Sequence, residues 1–454
     1  MRNFAKLFYI TIILTLLCFS IQTTLFIKSF NINSVLNNIN LISSNEFKGR
    51  LPGSIENRQV SEYIKDNFKS NNLLPFEENY FHSFGCFYPS KIEGNPYLKV
   101  IDSQGNLVKN YSYGKDFKED MLNFRENAFS FSNENVIIQN DFMNINYNDG
   151  NFLIYSTNDY GSNFRSSFVK EAPYNMYIVT NKKVFSEIKD FIKSGHKIIC
   201  FIPYSIKETE LNNVVGYIKG INPNNDPIII SSHFDHLGED LNGTIYSGAL
   251  DNASGTSFML ELVKYIKSLG TPNRDIIFVS FNAEEFGCLG SKAFVDKYYS
   301  KIKNSTLLNF DMIGGSESVP LCIMGSDKDT ANTPLIKELS VLCSFKNINF
   351  NYMFENASDH YFFREKGINA ITFCDNDTSK IHTPKDKIEF INKNSIKRCY
   401  NVASLKIINS AFSGNLFYIY YKEILIISFI LLFVFIKRQQ RNKTKIINLN
   451  KYLL

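Results

Sequence analysis

Two apolar stretches bracket the chain, and the pattern between them passes from irregular to regular. Leu7 to Ile27 runs 21 residues without a charge, and a membrane-spanning helix needs about 20. Leu416 to Ile436 is a second apolar stretch, interrupted by Lys422 and Glu423, with its unbroken core from Ile424 to Ile436. Just inside the first stretch, Leu36, Ile39 and Ile42 recur at helical spacing, and Val60, Ile64 and Phe68 mark a second helix beyond a turn-rich loop at 47–54. Residues 76–215 carry short apolar runs broken by Asn, Asp and Ser, which predicts strands and loops. Their clearest unit is a strand at 175–179, a helix at 184–194 and a strand at 197–202. From Val214 onward strands and helices alternate. Strands are expected at 214–219, 227–232, 275–281, 306–310 and 370–373, and helices at 255–269, 290–299, 333–343 and 360–366. This alternation predicts an α/β fold, a largely parallel mixed sheet flanked by helices on both faces. The chain then divides into an N-terminal anchor or signal segment (1–28), a first part of the main domain (29–75), an inserted β-rich accessory domain (76–213), the rest of the main domain (214–412), a C-terminal transmembrane helix (416–436) and a tail (437–454).

Charge sharpens the reading of the ends. The 454 residues carry a net +5, but Lys437 to Leu454 holds six basic residues and no acid, and Arg2 and Lys6 add two more. Taking those eight charges away leaves residues 7–436 at −3. Basic residues flanking apolar spans mark the cytoplasmic side, so both termini are expected inside and the intervening domain outside the cell membrane. A cleaved signal peptide shares the layout of the first span, but no small-x-small cleavage site follows it, which favours an uncleaved anchor. The acidic body offers no basic patch for nucleic acid. The eight cysteines show no C-x-x-C spacing, which argues against a thiolate zinc site.

Residues suited to metal binding follow the expected strands. His233, Asp235 and His236 come after the first apolar run, and Asp251 follows a Gly-rich turn. Glu284 and Glu285, Asp311, and finally His382 come after the later strands. In an open parallel sheet the ligand crevice lies beyond the carboxyl ends of the strands, so these positions converge. Each residue alone reads more readily as a cap or a core polar group. Together Asp251, Glu284, Glu285 and Asp311 place four carboxylates in one crevice, and their segments supply no Lys or Arg. Close carboxylates do not all ionise without a counter-charge. One or two divalent cations provide it, and histidines among the donors favour zinc.

The segments HFDHLG, GALDNASG, NAEEFGCLGS, NFDMIG and IHTPKDKIEFI resemble the signature blocks of the co-catalytic di-zinc aminopeptidases, a superfamily that also holds glutamate carboxypeptidases and glutaminyl cyclases. The loop GRLPGS at 49–54 and the stretch NASDHYFFREKGINA at 356–370 resemble it too. The likeness covers 33–73 and 214–395, and 76–215 only faintly resembles a protease-associated insertion. The resemblance implies two zinc ions bridged by Asp251, one completed by His233 and Asp311 and the other by Glu285 and His382. It implies Glu284 as general base, Asp235 behind His233, and a cis peptide at Asp251–Asn252. His236 and His360 are read as pocket lining, His82 and His196 as surface or structural residues.

The expected function is a membrane-anchored exopeptidase that removes N-terminal residues from extracellular peptides. A glutaminyl cyclase-like transferase is the first alternative, but the five-ligand set is intact where a cyclase uses one zinc. A binding ectodomain without activity is the second, and it would lack a ligand or the base.

Overall fold

The computed structural model describes residues 2–157, 164–222, 224–412 and 416–451. A nine-stranded mixed sheet organises the main domain. Its order runs Leu74–Pro75, Tyr204–Ile218, Ile276–Phe281, Ile228–His233, Thr306–Phe310, Asn369–Asp375, Leu321–Gly325 and Phe350–Phe354, with Phe81–Lys91 paired to Tyr204–Ile218. The four central strands are parallel, and the sheet turns antiparallel on each flank. Ile228–His233 and Ile276–Phe281 are buried at every position, which is why they read as continuous apolar runs rather than alternating ones.

Helices cover both faces. Ile228, Ile230, Phe278 and Leu308 pack with Phe68, Phe258, Leu262 and Val402 on one side. Ile229, Ile277, Val279 and Leu307 pack with Phe294, Tyr298 and Phe363 on the other. The period-two split of Ile228, Ile229 and Ile230 between the faces follows from the pleat. Helix Ile55–Ser70 starts where Ser54 accepts from the Asn57 N–H at 3.1 Å, a side-chain N-cap.

The strands Leu321–Gly325 and Phe350–Phe354 were not expected; they extend the sheet beyond Asn369–Asp375. On the opposite flank, Phe81–Lys91 and Tyr204–Ile218 form a long antiparallel ribbon, from Phe81 opposite Val214 to Lys91 opposite Tyr204. The ribbon carries a five-stranded and a four-stranded sheet with helix Lys182–Lys193. Their shared core includes Phe124, Phe152, Phe168 and Ile188, and runs on into Leu237, Tyr246, Ala283 and Phe286 of the main domain.

Among the described residues one helix stretch, Lys6–Phe26, is long and apolar enough to cross a membrane, at mean hydropathy 1.8. The second expected span, 416–436, opens the helix Leu416–Lys451 and is not among the stretches found in the described residues. Lys422 and Glu423 divide it, and the 13 residues from Ile424 to Ile436 rise only about 20 Å against a hydrocarbon core of about 30 Å. The two helices pack antiparallel: Phe19 meets Phe417 with ring centroids 4.8 Å apart, and Tyr9 meets Phe435 at 5.9 Å. Ile426, Ile427, Phe429, Ile430 and Phe433 are exposed on the C-terminal helix, as are Leu7, Phe8 and Ile12 on its neighbour.

Candidate metal centre

The C-terminal ends of the central strands deliver the polar cluster. His233 ends its strand, Asp235 and His236 follow it, Glu284 and Glu285 follow Phe281, and Asp311 follows Phe310. Asp251 lies in the turn before helix Gly255–Ser268, and its peptide bond to Asn252 is cis. His382 arrives from the loop after Asn369–Asp375. All five expected ligands and Glu284 meet in one place.

The imidazole Nε2 of His233 lies 3.3 Å from Asp311 Oδ1, 3.4 Å from Asp251 Oδ1 and 3.9 Å from Glu284 Oε2. His382 Nε2 lies 3.3 Å from both Asp251 Oδ2 and Glu285 Oε2. Asp251 thus stands between the two histidines. His233, Asp251 and Asp311 form one group of converging donors, and His236, Asp251 and Glu285 form another. His236 is more than pocket lining: its Nδ1 is 2.8 Å from Glu285 Oε1 and 4.0 Å from Asp251 Oδ2. His360 is not in the cluster. It is buried, with Nε2 3.0 Å from the Glu355 carbonyl and Nδ1 2.9 Å from the Thr372 hydroxyl. His82 is structural, with Nδ1 3.0 Å from the Asn213 amide.

A supporting layer fixes these groups. The two carboxylate oxygens of Asp235 accept the backbone N–H groups of Glu284 and Glu285, each at 3.1 Å. Asp235 therefore sets the turn that aims both glutamates. Its Oδ1 is 3.6 Å from His233 Nδ1, an ion-pair distance rather than a hydrogen bond. Asp386, in the quoted IHTPKD stretch, accepts from the N–H groups of Leu250 and Asp251 at 2.8 and 3.0 Å. Ser358 donates to Asp311 Oδ2 at 2.8 Å, and the Thr256 hydroxyl holds the His233 carbonyl at 2.7 Å.

The GRLPGS loop reaches under the cluster. Arg50 is fully buried and donates to the carbonyls of Phe234, Ser247 and Gly248 at 2.5, 2.6 and 2.6 Å. Gly49 sits at φ +67°, and a Cβ there would come within 2.3 Å of the Tyr246 carbonyl and 2.6 Å of that of Gly238. Only glycine permits this approach.

The electrostatics describe a site in need of positive charge. Burial works against ionising Asp251, yet the imidazoles of His233 and His382 hold it well below the usual carboxylate range. Burial likewise opposes protonation of His382, but Glu285 and Asp251 lift it to about 9. His233 is raised too, by Asp311 and Glu284 against its burial. Glu284 goes the other way from Asp251: burial drives it well above the carboxylate range despite the pull of His233. Positive charge on the imidazoles favours the ionised form of Asp251. A divalent cation would do the same with a donor set of nitrogens and oxygens that suits zinc, so the residues present fit such an ion.

The inserted region also reaches the cluster, at positions where sequence reasoning found no chemistry. Ser167 Oγ donates to Glu285 Oε2 at 2.9 Å. The Arg165 N–H donates to the His382 carbonyl at 2.9 Å. The Phe164 ring stacks on the His382 imidazole with centroids 5.6 Å apart.

Fold and donor set together define an α/β domain of mixed-sheet architecture whose converging donors could hold a metal ion. Residues 213–406 match the model of peptidase family M28. Aminopeptidase YwaD of Bacillus subtilis (strain 168) is 32% identical over 198 residues, 41% of this chain and 42% of that protein. The match therefore spans less than half the length of this curated relative. Two solved structures share the fold over 84% of this chain. One is an aminopeptidase from Aneurinibacillus sp. strain AM-1, with a TM-score of 0.59, 17% identity and 94% of that chain covered. The other is BSAP, a zinc aminopeptidase from Bacillus subtilis, with a TM-score of 0.57, 18% identity and 96% of that chain covered.

Proposed function

We propose that this protein is a membrane-anchored metallopeptidase that removes N-terminal residues from extracellular peptides, with two zinc ions in its site. The observation that carries the reading is Asp251 placed between His233 beside Asp311 and His382 beside Glu285, with Glu284 next to His233. His233 and Asp311 would hold one ion, Glu285 and His382 the other, and Asp251 both. When bound, such a pair supplies an acidified water and polarises the scissile carbonyl.

The chain's own residues do the rest. Glu284 Oε2 faces His233 from the edge of the cluster, where it accepts the proton of the attacking water and returns it to the leaving amine. Asp235 is a positioning residue: by holding the N–H groups of Glu284 and Glu285 it keeps the base and a ligand in fixed relation. His236, against Glu285, orients that ligand as outer partners do in metal sites. The buried walls exclude bulk water and strengthen every charge interaction inside.

The anchor is read from the apolar helix 6–26, its antiparallel neighbour from Leu416, and the basic ends. The C-terminal helix would cross beside the first, its tyrosines and Lys422 lying at the interface. Both termini then face the cytoplasm and the main domain faces outward. The test is the full chain purified in detergent, measured for zinc per chain and assayed on aminoacyl anilides and N-acetylated peptides. Two zinc ions and hydrolysis confined to free N-termini are expected. Cleavage of blocked peptides alone would overturn the aminopeptidase reading, and glutaminyl cyclisation would replace it.

A further inference from the structure

The segment Phe164–Phe168 belongs to the inserted region by sequence and to the metal centre by contact. It is fixed from three directions. The Arg165 side chain is fully buried, donating to the Leu237 carbonyl at 2.9 Å and the Tyr204 hydroxyl at 3.2 Å, with Glu119 Oε1 at 3.9 Å. Asp120 accepts the Ser166 N–H at 2.9 Å and its hydroxyl at 2.8 Å. Phe168 is buried and meets Phe286, the residue after Glu285, edge-on with centroids 5.0 Å apart. A segment so anchored presents its remaining groups with little freedom.

Those groups address one side of the cluster. Phe164 stacks on His382, the Arg165 N–H holds the His382 carbonyl, and Ser167 donates to Glu285. The hydrogen bonds that hold Asp311 and the His233 carbonyl come instead from Ser358 and Thr256, which lie in the main domain. The half built on Glu285 and His382 thus takes support from the inserted region in addition to that from Asp235 and His236 of the main domain.

We infer that Ser167 is a positioning residue for the metal site built on Glu285 and His382, so that the inserted region sets the affinity of that site separately from the one built on His233 and Asp311. The inference rests on the ligand assignment proposed above. His236 Nδ1 at Oε1 and Ser167 Oγ at Oε2, 2.8 and 2.9 Å away, fix the plane of the Glu285 carboxylate. Its remaining lone pairs then point consistently toward the space shared with His382 and Asp251. Without Ser167 the carboxylate pivots about the His236 contact, and the ligand must be re-ordered each time an ion binds. Loss of such an outer partner weakens metal affinity by about 10–100-fold.

The test uses the full chain in detergent, stripped with dipicolinate and titrated with zinc against a chromophoric chelator. Wild type should show two dissociation constants. Ser167→Ala should weaken one of them by about 10–100-fold and leave the other unchanged, while Ser167→Thr, which keeps the hydroxyl, should keep both. Unchanged constants in Ser167→Ala, equal weakening of both, or failure of threonine to rescue would each overturn the inference while wild type still binds two ions. A wild-type chain that takes up no zinc would instead defeat the ligand assignment, and this inference with it.

Discussion

Replacing Arg50 with methionine removes a buried charge that supports the site while leaving every proposed ligand side chain in place. The guanidinium is wholly buried, and its burial lowers its pKa from 12.5 to about 10 even with Asp251, Asp386, Asp235 and Glu285 near enough to pull it back up. That depression is equivalent to about 3 kcal/mol of unfavourable transfer, which a neutral side chain would recover. Against it stand three carbonyls, those of Phe234, Ser247 and Gly248, held at 2.5 to 2.6 Å, and a longer contact of 3.3 Å to Asp251. A buried acceptor left without its donor costs about 1–3 kcal/mol, so three cost about 3–9 kcal/mol. The net expectation is a loss of about 0–6 kcal/mol, centred near the cost of breaking a buried charge pair. Because Phe234 separates His233 from Asp235 and Gly248 lies in the turn leading to Asp251, the released loops should loosen both metal sites together. The chain has no Trp and 25 Tyr, so urea unfolding followed by circular dichroism and tyrosine emission is the suitable assay, with zinc retention measured on the same samples. Arg50→Lys, which can reach fewer of the carbonyls, should fall between wild type and Arg50→Met. An Arg50→Met chain with the wild-type unfolding midpoint and full zinc retention would refute the claim that this guanidinium holds the loops.

Three further perturbations probe other parts of the molecule. Glu284→Gln should retain zinc and lose activity by about 10²–10⁴-fold, the contribution of a positioned acid–base group; turnover at the wild-type rate would remove Glu284 from the mechanism. Asp386→Ala deprives the Leu250 and Asp251 N–H groups of their acceptor, and should cost about 1.5–3 kcal/mol per charge-assisted bond with faster zinc loss, whereas unchanged zinc off-rates would show that the Asp251 turn is held otherwise. Burial holds His360 neutral, with its pKa lowered from 6.5 to about 4. The unfolded chain therefore takes up this proton first, so the stability His360 contributes is complete above about pH 6.5 and is lost as pH falls toward 4, by up to about 3 kcal/mol. His360→Gln should flatten the unfolding free energy over that interval relative to wild type, and parallel pH profiles would contradict the assignment.

What could be seen in the sequence follows from how each contact is encoded. The central parallel strands are buried on both faces, so Ile228–Ile230 and Ile276–Val279 announce themselves as apolar runs, and the donors sit within a few residues of their ends. The carboxylates that follow the flanking strands Leu321–Gly325 and Phe350–Phe354, Asp327 and Glu355, are not among the converging donors, and no residue of Phe350–Phe354 is fully buried. Arg50 lay in a recognised loop, but arginines are rarely buried, and its carbonyl partners lie mostly 184 to 201 positions away. His236 was visible in HFDHLG, yet only folding brings Glu285 to its Nδ1 across 49 residues.

The inserted region is the instructive failure. Its strands are short and its polar residues read as loop material, so no local signal separated Ser167 from its neighbours. The bond from Ser167 to Glu285 spans 118 residues, and it exists because the ribbon of Phe81–Lys91 and Tyr204–Ile218 folds the two smaller sheets back over the carboxyl ends of the central strands. The apolar core that runs from Phe168 into Phe286 stabilises this docking at about 25 cal/mol per Å² buried. The docking in turn delivers a hydroxyl and a phenyl ring to one half of the cluster. A chain can therefore keep every donor motif intact and still differ in how tightly one half of its centre is held, because that support is built by packing between distant segments rather than by the motif itself.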